Sequence, residues 1–266
     1  MVWVYELDGA RIHSFMAPFE MFANTTHIIE TSTGVVVVDP QLTVSAAGDA
    51  RAYVDSIGKP IERLIVSHAH PDHYLGVAAA WEDVPVFALQ STIDEILSTG
   101  EETRKAREAM FPEGWVADHV TPPARSLQLG AATIGGVDFV FERYIQAEHP
   151  EQLVVRLPEY DVTVAQDLVY TVVHPIITDR EAIPSWISHV DEMLATGDTA
   201  IVLPGHGSPT DASGLTAMKD YLAAAQTQLA KSPDSEAFKS EMTKAFPDRQ
   251  GPEFLDFSVF FLFPHE

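Results

Sequence analysis

The sequence predicts a single α/β domain in which two β-sheets pack on one another and helices cover the outer faces. Three observations carry this. Strand-like runs rich in Val, Ile and Phe are interrupted by segments of helical apolar spacing, in two similar halves. No linker or low-complexity stretch divides the 266 residues, so 1–266 reads as one domain. Hydrophobic residues make up 46% of the chain, enough for a full core and too many for disorder.

The elements follow in order. Segments 2–7 and 11–16 flank Asp8-Gly9 and read as a hairpin, and 24–30 with 34–39 reads as a second strand pair. Within the latter, Val35-Val36-Val37-Val38 has the composition of a buried strand and runs into Asp39-Pro40. Asp39 is expected to tie loops together rather than to react. Residues 46–57 carry Ala46, Ala47, Ala50, Val54 and Ile57 at helical spacing, and Gly58-Lys59-Pro60 ends that helix. A strand over 61–66, a short helix over 75–81 and a strand over 84–89 come next. Ser91 is expected to cap a helix reaching Met110. The Pro- and Gly-bearing stretch 111–123 then forms either a loop over a pocket or a plain surface connection. Strands alternate through 125–157, with a turn at Gly135-Gly136, and a hairpin joins 152–157 to 162–165. Helices are expected at 184–195, 215–230 and 235–245, and strands at 200–203 and, from its strong apolarity, 254–263.

Chemistry concentrates in one place. Residues 67–76 read Ser-His-Ala-His-Pro-Asp-His-Tyr-Leu-Gly, so His68, His70, Asp72 and His73 fall within six positions just past the strand over 61–66. Pro71 removes a backbone donor and pushes the residues before it towards extended conformations. In an extended chain positions i and i+2 face one side, so His68 and His70 can hold one cation together. Asp72 and His73, beyond the bend, can reach a second. Three later residues also sit in strand-end loops: His149 in Ala147-Glu148-His149-Pro150, Asp167 after Val164-Ala165-Gln166, and His206 in Pro204-Gly205-His206-Gly207. Seven ligands suit two metals. A workable division gives His68, His70 and His149 to the first and Asp72, His73 and His206 to the second, with Asp167 bridging.

Composition narrows the rest. The chain has no cysteine, so ligands must be histidine or carboxylate and disulfides are excluded. A formal net charge of −23 repels phosphate backbones and anionic lipid, arguing against nucleic-acid or membrane partners and for a small-molecule substrate. The start, Met-Val-Trp-Val-Tyr-Glu-Leu-Asp, lacks the basic and apolar regions of a signal peptide, and no apolar run of about 18 residues exists to span a bilayer. A cytoplasmic location is the resulting expectation, and the oligomeric state is left open.

The run His68-x-His70-x-Asp72-His73, followed in order by His149, Asp167 and His206, resembles the metallo-β-lactamase superfamily. The strand ending in Asp39 and the Pro-Gly-His-Gly at 204–207 are similar to the same pattern, and the resemblance covers about residues 20–210. It implies a four-layer αββα sandwich with a dinuclear site at one edge of the two sheets. Within the family the closest features are those of glyoxalase II and lactonase-like dinuclear hydrolases. The usual Gly-His-Thr/Ser-x-Gly is replaced by Glu148-His149-Pro150-Glu151-Gln152. A tyrosine three residues after the bridging aspartate, here Tyr170, resembles the acyl-homoserine lactonases, where it helps hold the substrate carbonyl; packing beside the site is the plainer role.

The activity so implied is hydrolysis of an ester, lactone or related acyl bond. Two divalent ions, zinc first and iron or manganese next, would lower the pKa of a bound water from about 15.7 towards 7 and present a bridging hydroxide to the carbonyl. Tyr170 would donate to the oxyanion and Asp72 would relay a proton to the leaving group. Glu148 and His174 are expected to line the pocket or pack beside it. The alternatives are a β-lactamase- or thioesterase-type hydrolase, a mononuclear iron persulfide dioxygenase and a metal-bound scaffold without turnover.

Overall fold

The valine run shows how the layers arise. Val35, Val36, Val37 and Val38 form β4 (Val35–Val38) and are all fully buried. Successive strand residues point to opposite faces. Val36 and Val38 therefore enter a core shared with the second sheet, while Val35 and Val37 enter one shared with helices. A strand apolar on both faces must be covered on both, and that places β4 inside a stack.

The computed structural model describes residues 1–264. The first sheet has seven strands in chain order: β1 (Val2–Leu7), β2 (Ala10–Met16), β3 (Thr25–Glu30), β4, β5 (Ile61–Ile65), β6 (Val86–Ala88) and β7 (Arg125–Ser126). β1 to β4 are antiparallel neighbours, and β4 to β7 run parallel. Parallel neighbours need crossovers. These are α1 (Val44–Ser56), α2 (Gly76–Ala80) and α3 (Gln90–Met110). The second sheet has the order β12-β11-β10-β9-β8, from β8 (Gly130–Ile134), β9 (Val137–Ile145), β10 (Glu151–Leu157), β11 (Val162–Tyr170) and β12 (Ile201–His206). β11 and β12 are parallel and are joined through α4 (Ile183–Thr196). α5 (Ala212–Lys231), α6 (Ser235–Ala245) and α7 (Glu253–Leu262) complete the chain.

Three cores separate four layers. Ile12, Ile29, Val36 and Ile65 of the first sheet meet Phe139, Phe141, Val155 and Val164 of the second. Ala50, Val54, Val77 and Ile96 of α1 to α3 cover the outer face of the first sheet. Trp186, Val190, Tyr221, Phe238 and Phe254 of α4 to α7 cover that of the second. This is the αββα sandwich. Among the described residues no helix is long and apolar enough to cross a membrane.

Three expectations are corrected. The strand expected over 254–263 is helix α7. Its buried residues are Phe254, Leu255, Ser258 and Leu262, a helical spacing, and Ser258 Oγ accepts from the Ile177 amide at 2.9 Å. A short apolar run does not distinguish strand from helix by composition, and the helical reading wins because one stripe packs on the second sheet's outer layer. Ser91 is not a cap. α3 starts two residues earlier than such a cap would allow, at Gln90 after Leu89, and the Ser91 hydroxyl donates to Glu151 instead. The strand expected to stop at Ala165 continues to Tyr170 through an irregularity at Gln166, whose φ is +47°. The expected hairpin at 2–16, the turn at Gly135-Gly136 and helix 235–245 lie where the sequence puts them.

Candidate metal centre

The site forms where strands of both sheets end. Past β5 the chain is extended at His70 (φ −74°, ψ 142°), as Pro71 demands, and Pro71–His73 make a single 3-10 turn. The His68 and His70 rings end with centroids 4.8 Å apart, and those of His68 and His73 lie 4.2 Å apart. β12 delivers His206, and β11, bent at Gln166, delivers Asp167. Gly205 lies hard against Asp167: a Cβ built there would fall 1.7 Å from Asp167 Oδ1. The connection from β9 to β10 is closed by Gln146 N–H to Pro150 O (3.0 Å) and Ala147 N–H to His149 O (3.3 Å), and Glu148 sits between these bonds.

Asp39 lies beneath this cluster, fully buried and with φ +61°. Its carboxylate accepts from the Ser67 amide (2.7 Å), the Ser67 hydroxyl (2.7 Å), the His73 Nδ1–H (2.7 Å) and the Gln166 side chain. It thus ties the end of β4 to β5 and β11, the loop-tying role expected of it. It also takes the His73 Nδ1–H, leaving Nε2 to face Asp167 Oδ1 at 3.2 Å and Asp72 Oδ2 at 3.5 Å. His206 is set in the same way. Its Nδ1–H donates to Phe22 O at 2.8 Å, and Nε2 faces Asp72 Oδ2 at 3.1 Å and Asp167 Oδ2 at 3.5 Å. Asn24 Nδ2 donates to Asp72 Oδ2 at 3.2 Å.

Two groups of donor atoms result, each with all its atoms within 4.8 Å of one another: His68, His70, Glu148 and Asp167, and Asp72, His73 and His206. Six of the seven residues singled out by the sequence are in them. His149 stands apart. Its Nδ1 faces Glu151 O at 2.8 Å and its Nε2 faces Glu95 Oε1 at 3.2 Å, so both ring nitrogens are engaged away from the cluster, although the ring lies 4.7 Å from that of His70. Its neighbour Glu148, which sequence reasoning assigned to the surroundings, enters the first group instead. Glu148 Oε1 lies 3.1 Å from His70 Nδ1 and Oε2 lies 3.6 Å from His68 Nε2. A carboxylate beside the expected histidine, where the family's usual Gly-His is missing, was the available signal. Tyr170 is buried and lines the cleft with Asp167: its hydroxyl donates to Asp167 Oδ2 at 2.7 Å and its ring stacks on His206 at 4.8 Å. His174 packs against Tyr221, with Nδ1 3.0 Å from the phenol oxygen.

The donor set fits cations. Of the sixteen buried side-chain polar atoms without a hydrogen-bond partner among the described residues, five belong to the two groups: His68 Nε2, His73 Nε2, His206 Nε2, Glu148 Oε2 and Asp167 Oδ1. Orphaned buried polar atoms are costly and need an explanation. The five that converge here are explained together by the cations that the two groups would hold. Electrostatics agree. Burial would raise the Asp72 and Asp167 carboxyls, yet His73 and His206 hold both well below the usual range. Burial would lower His73 and His206, yet Asp167 and Asp72 push His73 well above normal and His206 up to about 10. The carboxylates demand positive charge, and bare protein supplies it only by protonating histidines. His68 is held well below its normal value by burial and by His73, so its Nε2 stays free to ligate. The set offers only nitrogen and oxygen, the donors of zinc, iron and manganese sites.

The groups open into a cleft of about 330 Å³. Its apolar wall includes Phe22, Leu42, Phe111, Ile176 and Phe257, and its polar floor includes Thr99 and Thr103. Phe111 lines the cleft and stacks on Trp115 at 6.1 Å, so the start of segment 111–123 borders a pocket.

The profile of the Metallo-beta-lactamase superfamily matches residues 21–206. The chain belongs to the metallo-beta-lactamase superfamily. An (R)-specific secondary-alkylsulfatase of a Pseudomonas species is 26% identical over 232 residues, covering 70% of this chain and 34% of the relative. The uncharacterized protein YobT of Bacillus subtilis is 26% identical over 119 residues, covering 44% of this chain and 51% of the relative. The chain thus spans between about a third and a half of the length of these two curated relatives. A metallo-beta-lactamase from Pontibacter korlensis superposes with a TM-score of 0.63 at 17% identity, covering 84% of this chain and 99% of that one. The inverting sec-alkylsulfatase Pisa1 from a Pseudomonas species does so with a TM-score of 0.66 at 18% identity, covering 98% of this chain and 50% of that one. At such identities the superpositions speak for the fold alone.

Proposed function

We propose that the chain is a two-metal hydrolase that cleaves an ester whose organic part is apolar. The observation carrying this reading is the convergence of five orphaned, buried donor atoms at the end of an aromatic-walled cleft. His68, His70 and Glu148 would hold one ion, and Asp72, His73 and His206 the other, with Asp167 between them. Two such ions would supply a strong nucleophile from water at neutral pH and clamp the attacking and leaving oxygens.

The chain's own residues do the rest. Asp39 and the Phe22 carbonyl lock His73 and His206 in the tautomers that aim Nε2 inward. Tyr170 steadies Asp167, and in this position it acts through that carboxylate rather than on a substrate oxygen. Asn24 holds the Asp72 oxygen that faces His206. Phe22, Phe111 and Phe257 take up the organic part and keep water from it.

The favoured substrates are carboxylic esters and lactones. A second reading, hydrolysis of a sulfate monoester, is favoured by the printed names of the relatives, three of which are alkylsulfatases. One experiment tests the whole proposal: metal analysis of the purified chain alongside a turnover screen of aryl esters, lactones, alkyl sulfates, thioesters and β-lactams. Two zinc, manganese or iron ions per chain, with ester or lactone turnover abolished in His70→Ala, is the expected result. Turnover of alkyl sulfates alone selects the second reading. A chain that takes up no metal overturns both.

A further inference from the structure

The cleft has a far end that hydrolysis at the metal groups does not use. Glu95, Thr99, Thr103 and Arg107 of α3 all line it. They are spaced four apart and so form one stripe along the helix. At a rise of 1.5 Å per residue that stripe runs about 18 Å, from Glu95, beside His149, out to Arg107. Phe111 follows one turn past Arg107, and Phe257 of α7 lies against the Arg107 guanidinium. The cleft is therefore a furrow lined by polar and aromatic side chains, with one guanidinium towards the C-terminal end of α3.

That guanidinium is set apart by its place in the cleft. Acidic residues outnumber basic ones 39 to 16, so carboxylates are abundant. Arg104, on the preceding turn, pairs with both Glu101 and Glu108. Arg11, Arg51, Arg143 and Arg156 are likewise paired, whereas Arg63, Arg125, Arg180 and Arg249 lie over aromatic rings without a carboxylate partner among the described residues, and none of these four lines the cleft. Arg107 has no carboxylate partner among the described residues. It lies 5.9 Å over the Phe257 ring and turns Nη1 towards Met110 Sδ at 3.3 Å, a weak acceptor. It is half-buried, and no other Lys or Arg of the described residues lines the cleft. An aromatic platform holds the cation in place while leaving its five donors largely unspent.

Resting on the hydrolase reading above, we infer that Arg107 is a specificity-determining residue that binds an anionic group, such as a carboxylate, on the end of the substrate remote from the ester. The substrate class is then an elongated, apolar ester carrying a terminal anion. The reacting bond lies at the metal groups, the hydrocarbon lies along Phe22 and Phe257, and the terminal carboxylate takes a forked pair of hydrogen bonds from the guanidinium. Arg suits this role better than Lys, because its planar fork matches a carboxylate.

The test uses the metal-loaded full chain and two matched series of varied chain length: para-nitrophenyl esters of straight-chain monocarboxylic acids, and mono-para-nitrophenyl esters of the corresponding α,ω-dicarboxylic acids. At the length that spans the furrow, the dicarboxylic ester is expected to be preferred in kcat/KM by about tenfold or more, chiefly through KM. In Arg107→Met the preference should vanish, and Arg107→Lys should recover part of it. Raising the ionic strength should shrink it in the wild type and in Arg107→Lys. Taking the ratio of the two esters cancels any general loss of activity in a variant. No preference at any length, or one that Arg107→Met leaves unchanged, overturns the inference. Calorimetric titration with long dicarboxylates against monocarboxylates reads Arg107 without turnover. Arg107-dependent binding in a chain that hydrolyses nothing would sink the hydrolase reading and the ester substrate class while leaving the anion site at Arg107, and equal binding of both acids would overturn the inference.

Discussion

Gly205→Ala tests whether the position of Asp167 is what makes the site. A methyl group at Gly205 would lie 1.7 Å from Asp167 Oδ1, 2.9 Å from its Cγ and 3.0 Å from its backbone nitrogen. Ordinary contact begins near 3.4 Å. The oxygen must therefore withdraw by about 1.5 Å or more, whereas a working metal site tolerates about 0.2 Å in its ligand distances. The backbone cannot yield easily, because β12 is paired to β11 on one side and Thr25 Oγ1 donates to Gly205 O at 2.9 Å on the other. A displacement of this size at a group shared by both ions should drop the metal content below two per chain. It should also cost on the order of 100-fold in turnover, the scale of a 1 Å misplacement. Inductively coupled plasma mass spectrometry and initial rates measure the two effects, with circular dichroism as the check on folding. Gly48→Ala is the control: nothing lies within 4 Å of a Cβ there, the residue is inside α1, and the exchange should stabilise by up to about 1 kcal/mol. Asp167→Asn should reproduce the metal loss without any added atom. A Gly205→Ala protein that keeps two tightly held metals and full turnover would refute the reasoning.

The remaining predictions concern neighbouring residues. Glu148→Ala should release one of the two ions, whereas His149→Ala should retain both; metal loss from the His149 variant alone would reverse the assignment. Tyr170→Phe keeps the ring stacked on His206 and removes only the hydroxyl on Asp167, so metal affinity should fall about 10- to 100-fold, as measured by chelator competition. An unchanged affinity and rate would remove the hydroxyl from the account. His27 is fully buried and held down at about 4 by burial, against an ordinary value of 6.5. Above the ordinary value it is neutral folded or unfolded and has no pH effect. As pH falls from 6.5 to about 4 the unfolded chain takes up a proton that the folded chain refuses, so stability is lost across that window, by at most about 3 kcal/mol. His27→Gln keeps a donor for Pro204 O and should lose correspondingly less over the same window in urea titrations; parallel pH profiles for the two proteins would contradict this.

Local chemistry alone wrote much of the molecule into the sequence. The hairpin at Asp8-Gly9, the buried Val35 to Val38 strand and the His68 to His73 cluster are short-range facts. A turn dipeptide, a β-branched run and a proline after His70 constrain the backbone whatever lies around them. Strand-rich runs interrupted by helices, in two similar halves, made two packed sheets with outer helices legible, and the four αββα layers followed from the family resemblance, which rested largely on the His68 to His73 run.

Other features were decided only when distant segments met. The stretch at 254–263 is apolar enough for either a strand or a helix, and became α7 because Phe254 and Leu255 pack into the core beside Tyr221 and Phe238 while Ser258 serves the Ile177 amide. Glu148 and His149 are adjacent, and nothing in their spacing says which faces the histidine cluster. The closure of the 146–150 loop and the reach of Glu95 from α3 turned the imidazole aside and the carboxylate inward. Identity and order in the chain name the side chains that can bind a cation. The direction in which each points depends on which backbone groups, far away in sequence, take its other hydrogen bonds.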